Sequence, residues 1–318
     1  MSVDFVRGCY VTNWAVYRPE PYKFPPDAIP KVNDLKKKQP GLKTLLSFGG
    51  WTESQTGIYA TMASSPSNRA AFIASAWALA DRWGFDGIDM DWEYPDAASK
   101  GNFVTLMREI KAAGKGKMLT SAVSAGTPTI KAGYDVPALA NIFDYITVMA
   151  YDFHGTWETV EAALALWASS GMPKSKILMG IPAYGRGWQT FSCVLGASTT
   201  GPSAAQSITQ TTGIASYFEL MNMNGCIVQT PEGPLLEATI NGAKTCFGFD
   251  DPAAVLKKMA LVRSAGYGGA FSWTIDFDDK PNNFPIHQAI KSGLAGKGPI
   301  PSAPTPPTPS PTLPTPGP

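Results

Sequence analysis

Residues 86–94 read DGIDMDWEY, and the spacing of Asp89, Asp91 and Glu93 is the sharpest chemical signal in the chain. The three acids alternate with Ile88, Met90 and Trp92. A period of two places the acids on one face of a β-strand and the bulky apolar residues on the other. Carboxylates gathered this way are costly to bury unless they share protons, hold a cation or do chemistry. An EF-hand calcium loop also opens on alternating acids, but it needs a turn glycine and a closing Glu, and large apolar residues do not separate its ligands. A magnesium site on clustered carboxylates would be expected beside a phosphate-cradling glycine loop, and none accompanies the motif. The remaining reading is acid/base catalysis, in which crowding keeps one carboxyl protonated near neutral pH.

Such a strand has to be held by its neighbours. A helix-like stretch, Ala70 to Trp83, precedes it and ends at Gly84, and another helix follows Pro95. A strand between helices predicts a central α/β strand covered on both faces. Further β-like runs are Arg7–Val11, Lys43–Phe48, Leu119–Val123, Tyr145–Met149, Lys176–Ile181 and Gly269–Trp273. Helix-like stretches alternate with them: Asn68–Trp83, Asn102–Ala113, Val160–Ser170 and Pro252–Ala265. The alternation predicts an α/β fold of the TIM (β/α)8-barrel type. Polar and aromatic residues follow the strand ends, among them Asn13, Trp14, Trp51, Tyr94, Tyr151, Asp152, Tyr184, Arg186, Trp273 and Asp276. A barrel brings those ends to one face, where active sites form.

Two stretches break the pattern. Residues 189–248, rich in Gly, Thr and Ser, predict a small α+β insertion between strands 7 and 8. The interval 12–42 should hold the second strand, yet it contains six prolines and no β-branched run. Proline is excluded from central strands. The barrel is therefore expected to be incomplete or irregular at strand 2, with Ala15–Tyr17 as the one candidate to fill the gap.

Composition narrows the function classes. The net charge is +1, which gives no electrostatic case for a nucleic-acid or acidic-membrane partner. No apolar run reaches transmembrane length. Residues 1–10 lack the apolar core of a signal peptide. Four cysteines without a CxxC pair and two distant histidines, His154 and His287, argue against zinc. Three cysteines lie between 193 and 246, where one disulfide fits a secreted protein, its pairing left open. Ten of the last twenty residues are proline, so 297–318 is expected to be a disordered Pro/Thr/Ser-rich linker beyond a barrel domain at 1–296.

The segment DGIDMDWEYP resembles the DxxDxDxE signature of family 18 glycoside hydrolases, the chitinases. CYVTNWAVYRP resembles that family's first strand, LKTLLSFGGWT its third, YITVMAYDFHGTW its sixth, ILMGIPAYGRGW its seventh and GGAFSWTIDFDD its eighth. The resemblance covers about residues 5–296. It implies hydrolysis of β-1,4 links between N-acetylglucosamine units by a retaining, substrate-assisted mechanism, an exception to the usual carboxylate pair. Glu93 would be the general acid. Asp91 would hold the substrate acetamide, whose carbonyl is the nucleophile, and Asp89 would share a proton with Asp91. Tyr151 would hydrogen-bond the acetamide carbonyl. Trp273 would floor the distorted sugar, Trp14 and Trp51 would stack on further rings, and Asp152, Tyr184 and Arg186 would bind hydroxyls or orient neighbours. Tyr10, Tyr94 and Met149 complete the expected binding set, and Asp86 is expected to support the strand or the Asp89 network. No cofactor or metal is implied. The expected partner is chitin or its oligosaccharides, with no nucleic acid or membrane, for a secreted monomer.

The chain also departs from the family. The second strand has no counterpart, and with it goes the usual partner of Cys9. The loop after Trp157 and the insertion after Gln189 are short. Two other functions stay open: a chitin-binding lectin without turnover, and an endo-N-acetylglucosaminidase acting on glycoprotein glycans.

Overall fold

The computed structural model describes residues 4–17, 27–152 and 159–296. The expected linker at 297–318, His154 and Trp157 lie outside the described residues. In chain order the strands are β1 (Val6–Cys9), β2 (Leu45–Gly49), β3 (Gly87–Asp91), β4 (Met118–Val123), β5 (Tyr145–Val148), β6 (Ile177–Pro182), β7 (Tyr184–Thr190), β8 (Thr199–Pro202), β9 (Ile214–Ser216), β10 (Gly225–Thr230), β11 (Gly233–Ile240), β12 (Ala243–Phe249) and β13 (Gly269–Trp273). They fall into two compact units. The first comprises the residues up to Ile181 with Met259–Trp273, and the second Pro182–Lys258 with the residues from Thr274.

In the first unit, seven strands form one sheet in the order β1-β13-β6-β5-β4-β3-β2. The pairs β1–β13, β2–β3, β3–β4, β4–β5 and β5–β6 are all parallel. Helices connect successive strands, as parallel pairing requires. The helix Pro66–Trp83 is specified locally. Ser65 caps it by accepting from the Asn68 amide, Pro66 occupies its first turn, and Gly84 ends it at φ 74°. Its buried face, Ile73, Ala76, Trp77 and Ala80, follows the helical period. The core is built from Ile88, Met90, Phe103, Leu106, Met107, Ile110 and Leu119, all almost wholly buried.

The fold is thus an irregular, incomplete (β/α)8-type barrel, with β1 and β2 as the terminal strands of its sheet. Among the described residues no strand lies between Cys9 and Leu45. The expectation that Ala15–Tyr17 fills the gap is corrected: Asn13–Tyr17 forms a 3-10 helix, and Ala28–Lys31, Val32–Asp34 and Leu35–Lys38 are also helical. Burial records the consequence. Every residue of β3 is buried, whereas no residue of β2 is, and Ser47 in its middle is exposed.

In the second unit, β10-β11-β12-β7-β8 form a second sheet, with β9 paired to β7. Neighbouring strands in this sheet run antiparallel. The short helix Tyr217–Met221 starts at a reciprocal Ser216–Glu219 capping box. Cys193 and Cys246 form a disulfide across 53 residues of sequence. This sheet begins at Tyr184 and ends at Phe249, so it extends beyond 189–248 and takes in Tyr184 and Arg186.

Candidate active site

The two ends of the acidic strand do different work. Asp86, just before β3, accepts from the Thr44 amide at 2.9 Å and pairs with Lys36 at 2.6 Å. Burial opposes its ionisation, but the Lys36 hydrogen bond, the Thr44 amide and the Lys36 and Lys43 charges together hold its carboxyl below the usual range. Asp86 therefore fastens the start of β3 and takes no part in the Asp89 network.

Asp89 faces the interior in register with Ser47 on β2 and Thr120 on β4. Its Oδ2 accepts from Ser47 Oγ at 2.7 Å and from the Tyr10 hydroxyl at 2.9 Å, and its Oδ1 accepts from Thr120 Oγ1 at 2.6 Å. Burial pushes the Asp89 carboxyl up, and the three hydroxyl donors pull it back. Tyr10 also lies within 3.2 Å of Thr147 Oγ1. Burial and the charges on Asp89 and Asp91 keep the Tyr10 phenol protonated.

Asp91 and Glu93 influence each other's ionisation, and Tyr94 acts on Glu93. Burial first, then the charges on Glu93 and Asp89, raises Asp91 well above the ordinary carboxylate range. Burial raises Glu93 as well, while Tyr94 and Asp91 oppose the shift by hydrogen bonding. Two interacting buried carboxyls favour sharing one proton over ionising together. Asp91 Oδ1 is buried with no hydrogen-bond partner. An acceptor left in that state requires an explanation, and a donor supplied by a bound molecule is one.

Several of the expected residues stand at or just past strand ends of the first unit. Burial, followed by the charges on Asp91, Asp152 and Glu93, raises the Tyr151 phenol, whose ring centroid lies 6.2 Å from that of Phe271 on β13. Gly180 on β6 makes room for it, since a Cβ there would meet the Tyr151 ring at 2.7 Å. Trp273 ends β13, and its ring centroid lies 5.3 Å from Tyr10 and 5.9 Å from Trp14. Trp14 and Trp51 are 48% and 59% exposed, large apolar faces open to a flat ligand. Met149 and Asp152 are half-buried just past β5. Tyr184 and Arg186 lie in the second unit. There Tyr184 is buried edge-on to Phe277 at 6.2 Å, and Arg186 pairs in register with Gly248 and Ile214.

Sequence reasoning missed several contributors. Ser47 belongs to the Ser-x-Gly-Gly segment but was not singled out. Thr120 and Thr147 look like ordinary strand residues, and only the strand pairing aligns them with Asp89 and Tyr10. Among the described residues, no group of His, Cys, Asp and Glu is arranged to hold a metal ion. No described helix is long and apolar enough to cross a membrane.

Comparison with known proteins bears on this arrangement. Residues 6–278 match the model of the family described as Glycosyl hydrolases family 18. A probable endochitinase of Caenorhabditis elegans is 36% identical over 351 aligned positions, which cover 87% of this chain and 57% of that protein. Those 351 positions exceed the 318 residues of this chain, so the relative holds segments that this chain lacks. The chain spans little more than half the length of that relative. The crystal structure of an immunomodulatory active chitinase from Trichuris suis superposes with a TM-score of 0.84 at 33% identity, covering 92% of this chain and 100% of the other. Human YKL-39, described as a pseudo-chitinase with retained chitooligosaccharide binding properties, gives a TM-score of 0.84 at 29% identity, with 92% and 100% covered.

Proposed function

Because the chain belongs to family 18 of the glycosyl hydrolases, we propose that it is a chitinase that cleaves β-1,4 links between N-acetylglucosamine units with retention of configuration. The observation that carries this reading is the buried Asp91 Oδ1, an acceptor without a hydrogen-bond partner, two residues before Glu93, with burial raising both carboxyls. Glu93 gives its proton to the glycosidic oxygen as that bond breaks. The carbonyl oxygen of the sugar's own acetamide attacks the anomeric carbon and forms an oxazolinium ion. Asp91 Oδ1 accepts the acetamide N–H, which holds the group in line and stabilises its developing positive charge. Tyr151 donates to the acetamide carbonyl oxygen. Water then opens the ring, and Glu93 takes back a proton. Asp89, with its three hydroxyl donors, sets the charge state of Asp91. Trp273 supplies an apolar floor, and Trp14 and Trp51 stack on neighbouring rings.

Turnover of N-acetylglucosamine oligosaccharides by the purified chain tests the proposal, with Glu93→Gln as the control. Loss of the acid should lower kcat by about 10²–10⁴-fold. Equal product release by both proteins would remove Glu93 from the chemistry.

One observation favours a second reading, a chitin-binding protein without turnover. Among the described residues the sheet lacks a strand between β1 and β2, and the exposure of Ser47 lets solvent reach the edge of the acid network. Retention on chitin without release of products would favour that alternative. The Cys193–Cys246 disulfide supports secretion, since such bonds persist in oxidising compartments.

A further inference from the structure

The backbone of Glu93 is held by two side chains outside the acid cluster. The ladder between β2 and β3 ends at the Gly49–Asp91 pair, and the Gly50 amide adds one bond to the Asp91 carbonyl at 2.7 Å. Glu93 lies past this point, where strand pairing no longer serves its peptide groups. Ser54 Oγ accepts from the Glu93 amide at 2.8 Å, and Gln55 Nε2 donates to the Glu93 carbonyl at 3.0 Å. Adjacent residues of one turn thus satisfy both the donor and the acceptor of a single residue.

We infer that Ser54 and Gln55 are positioning residues that fix the main chain of Glu93 and thereby aim its carboxyl. The inference rests on the proposed role of Glu93 as the proton donor. Neither side chain need touch substrate; they act through the Glu93 Cα, from which the carboxyl projects. Their support is mounted at one edge of the sheet, because the four-residue helix Trp51–Ser54 follows β2, which among the described residues pairs only with β3. Gln55 is exposed and Ser54 half-buried, so neither is needed to fill the core. A clamp that aligns the acid acts on the chemical step more than on sugar binding, and small misplacements of a catalytic group are costly.

The test compares Ser54→Ala, Ser54→Thr, Gln55→Ala and the Ser54→Ala/Gln55→Ala double variant with the parent chain. On N-acetylglucosamine oligosaccharides, the double variant should lose about tenfold or more in kcat with KM within about twofold. The alkaline limb of its pH–rate profile should move, because the proton shared with Asp91 depends on the carboxyl separation. Ser54→Thr keeps the hydroxyl and should restore most of the rate lost by Ser54→Ala. Amide hydrogen exchange at Glu93 should quicken in Ser54→Ala while β3 stays protected. This second readout needs no turnover, so a parent chain inactive on the oligosaccharides would overturn the proposed function and leave the clamp to be judged by exchange. Unchanged exchange at Glu93, or an unchanged kcat and pH profile in an active chain, would overturn the inference.

Discussion

Ser47 Oγ donates to Asp89 Oδ2 at 2.7 Å, although Ser47 is exposed and Asp89 is 4% exposed. A buried carboxylate is thus served from the outermost strand of the sheet. Thr120 makes the equivalent bond from the other side at 2.6 Å and is itself buried. The two donors should therefore differ in what their loss costs.

Thr120→Val leaves Asp89 Oδ1 short of a donor where water has poor access, and should cost about 1–3 kcal/mol. Ser47→Ala opens a site that water can reach, and should cost less than about 1 kcal/mol. Urea unfolding of both variants measures the difference. Equal losses would mean that the interior beside β2 is as dry as the interior beside β4.

Activity should depend on pH through the Asp91–Glu93 pair. Burial raises both groups, and each also feels its partner. The pair must retain one proton for Glu93 to act as an acid, and that proton is lost as pH rises through its upper apparent pKa. The alkaline limb of the kcat profile should therefore lie above the ordinary range of a free Glu, about 4.3. The acid limb reports the second proton, whose addition removes the negative charge that supports the oxazolinium ion. Rate measurements on an oligosaccharide from acid to alkaline pH check both limbs, and a flat profile contradicts the assignment.

The same shift has an opposite consequence for stability. The raised Asp91 binds its proton more tightly in the folded chain than in the unfolded one. Below the unfolded value, near 3.9, both states are protonated and the group's favourable contribution is fully present. That contribution is lost as pH rises through the raised folded value. Asp91→Asn removes the titration and should melt above the parent at neutral pH. The gain should vanish toward pH 3, and catalysis should be lost at every pH. Thermal melts at the two pH values decide it.

The disulfide predicts a local loss. Cys193–Cys246 closes a 53-residue separation and fastens the segment after β7 to β12. Cys246→Ser should destabilise the second unit by about 2–4 kcal/mol. Hydrogen exchange resolved by segment should show quicker exchange in β7, β11 and β12 and leave β3 and β4 unchanged. Equal acceleration in both units would show that they unfold together.

Much of this was legible in the sequence for physical reasons. Strict alternation from Asp89 to Glu93 has a single structural meaning, and strand–helix repetition fixes a parallel sheet before any contact is known. The DxxDxDxE resemblance pointed to the family that the comparisons show, and the prolines between residues 12 and 42 announced the missing strand. What stayed hidden depends on pairing. Ser47 and Thr120 become donors to Asp89 only through a register that no single segment encodes. The start of the second sheet was hidden for a related reason. Gly185 and Gly187 make Tyr184–Thr190 look like a loop, yet a Cβ at Gly187 would meet the Phe247 ring at 2.1 Å, so glycine is there to admit an aromatic neighbour. Asp86 was expected to support the strand or the Asp89 network, and it does the former. Its salt bridges to Lys36 and Lys43 come from a segment whose helical turns could not be read under so many prolines.

Among the described residues strand β2 has a single sheet neighbour, yet it or the turn after it carries the Ser47 bond to Asp89, the Gly50 bond to Asp91 and the Ser54 and Gln55 bonds to Glu93. A terminal strand opens at lower free energy than the body of a sheet. Heating should therefore abolish the proposed activity while most of the secondary structure persists. The working temperature of the protein would then be set by the fraying of five residues, Leu45–Gly49, rather than by the melting of its core.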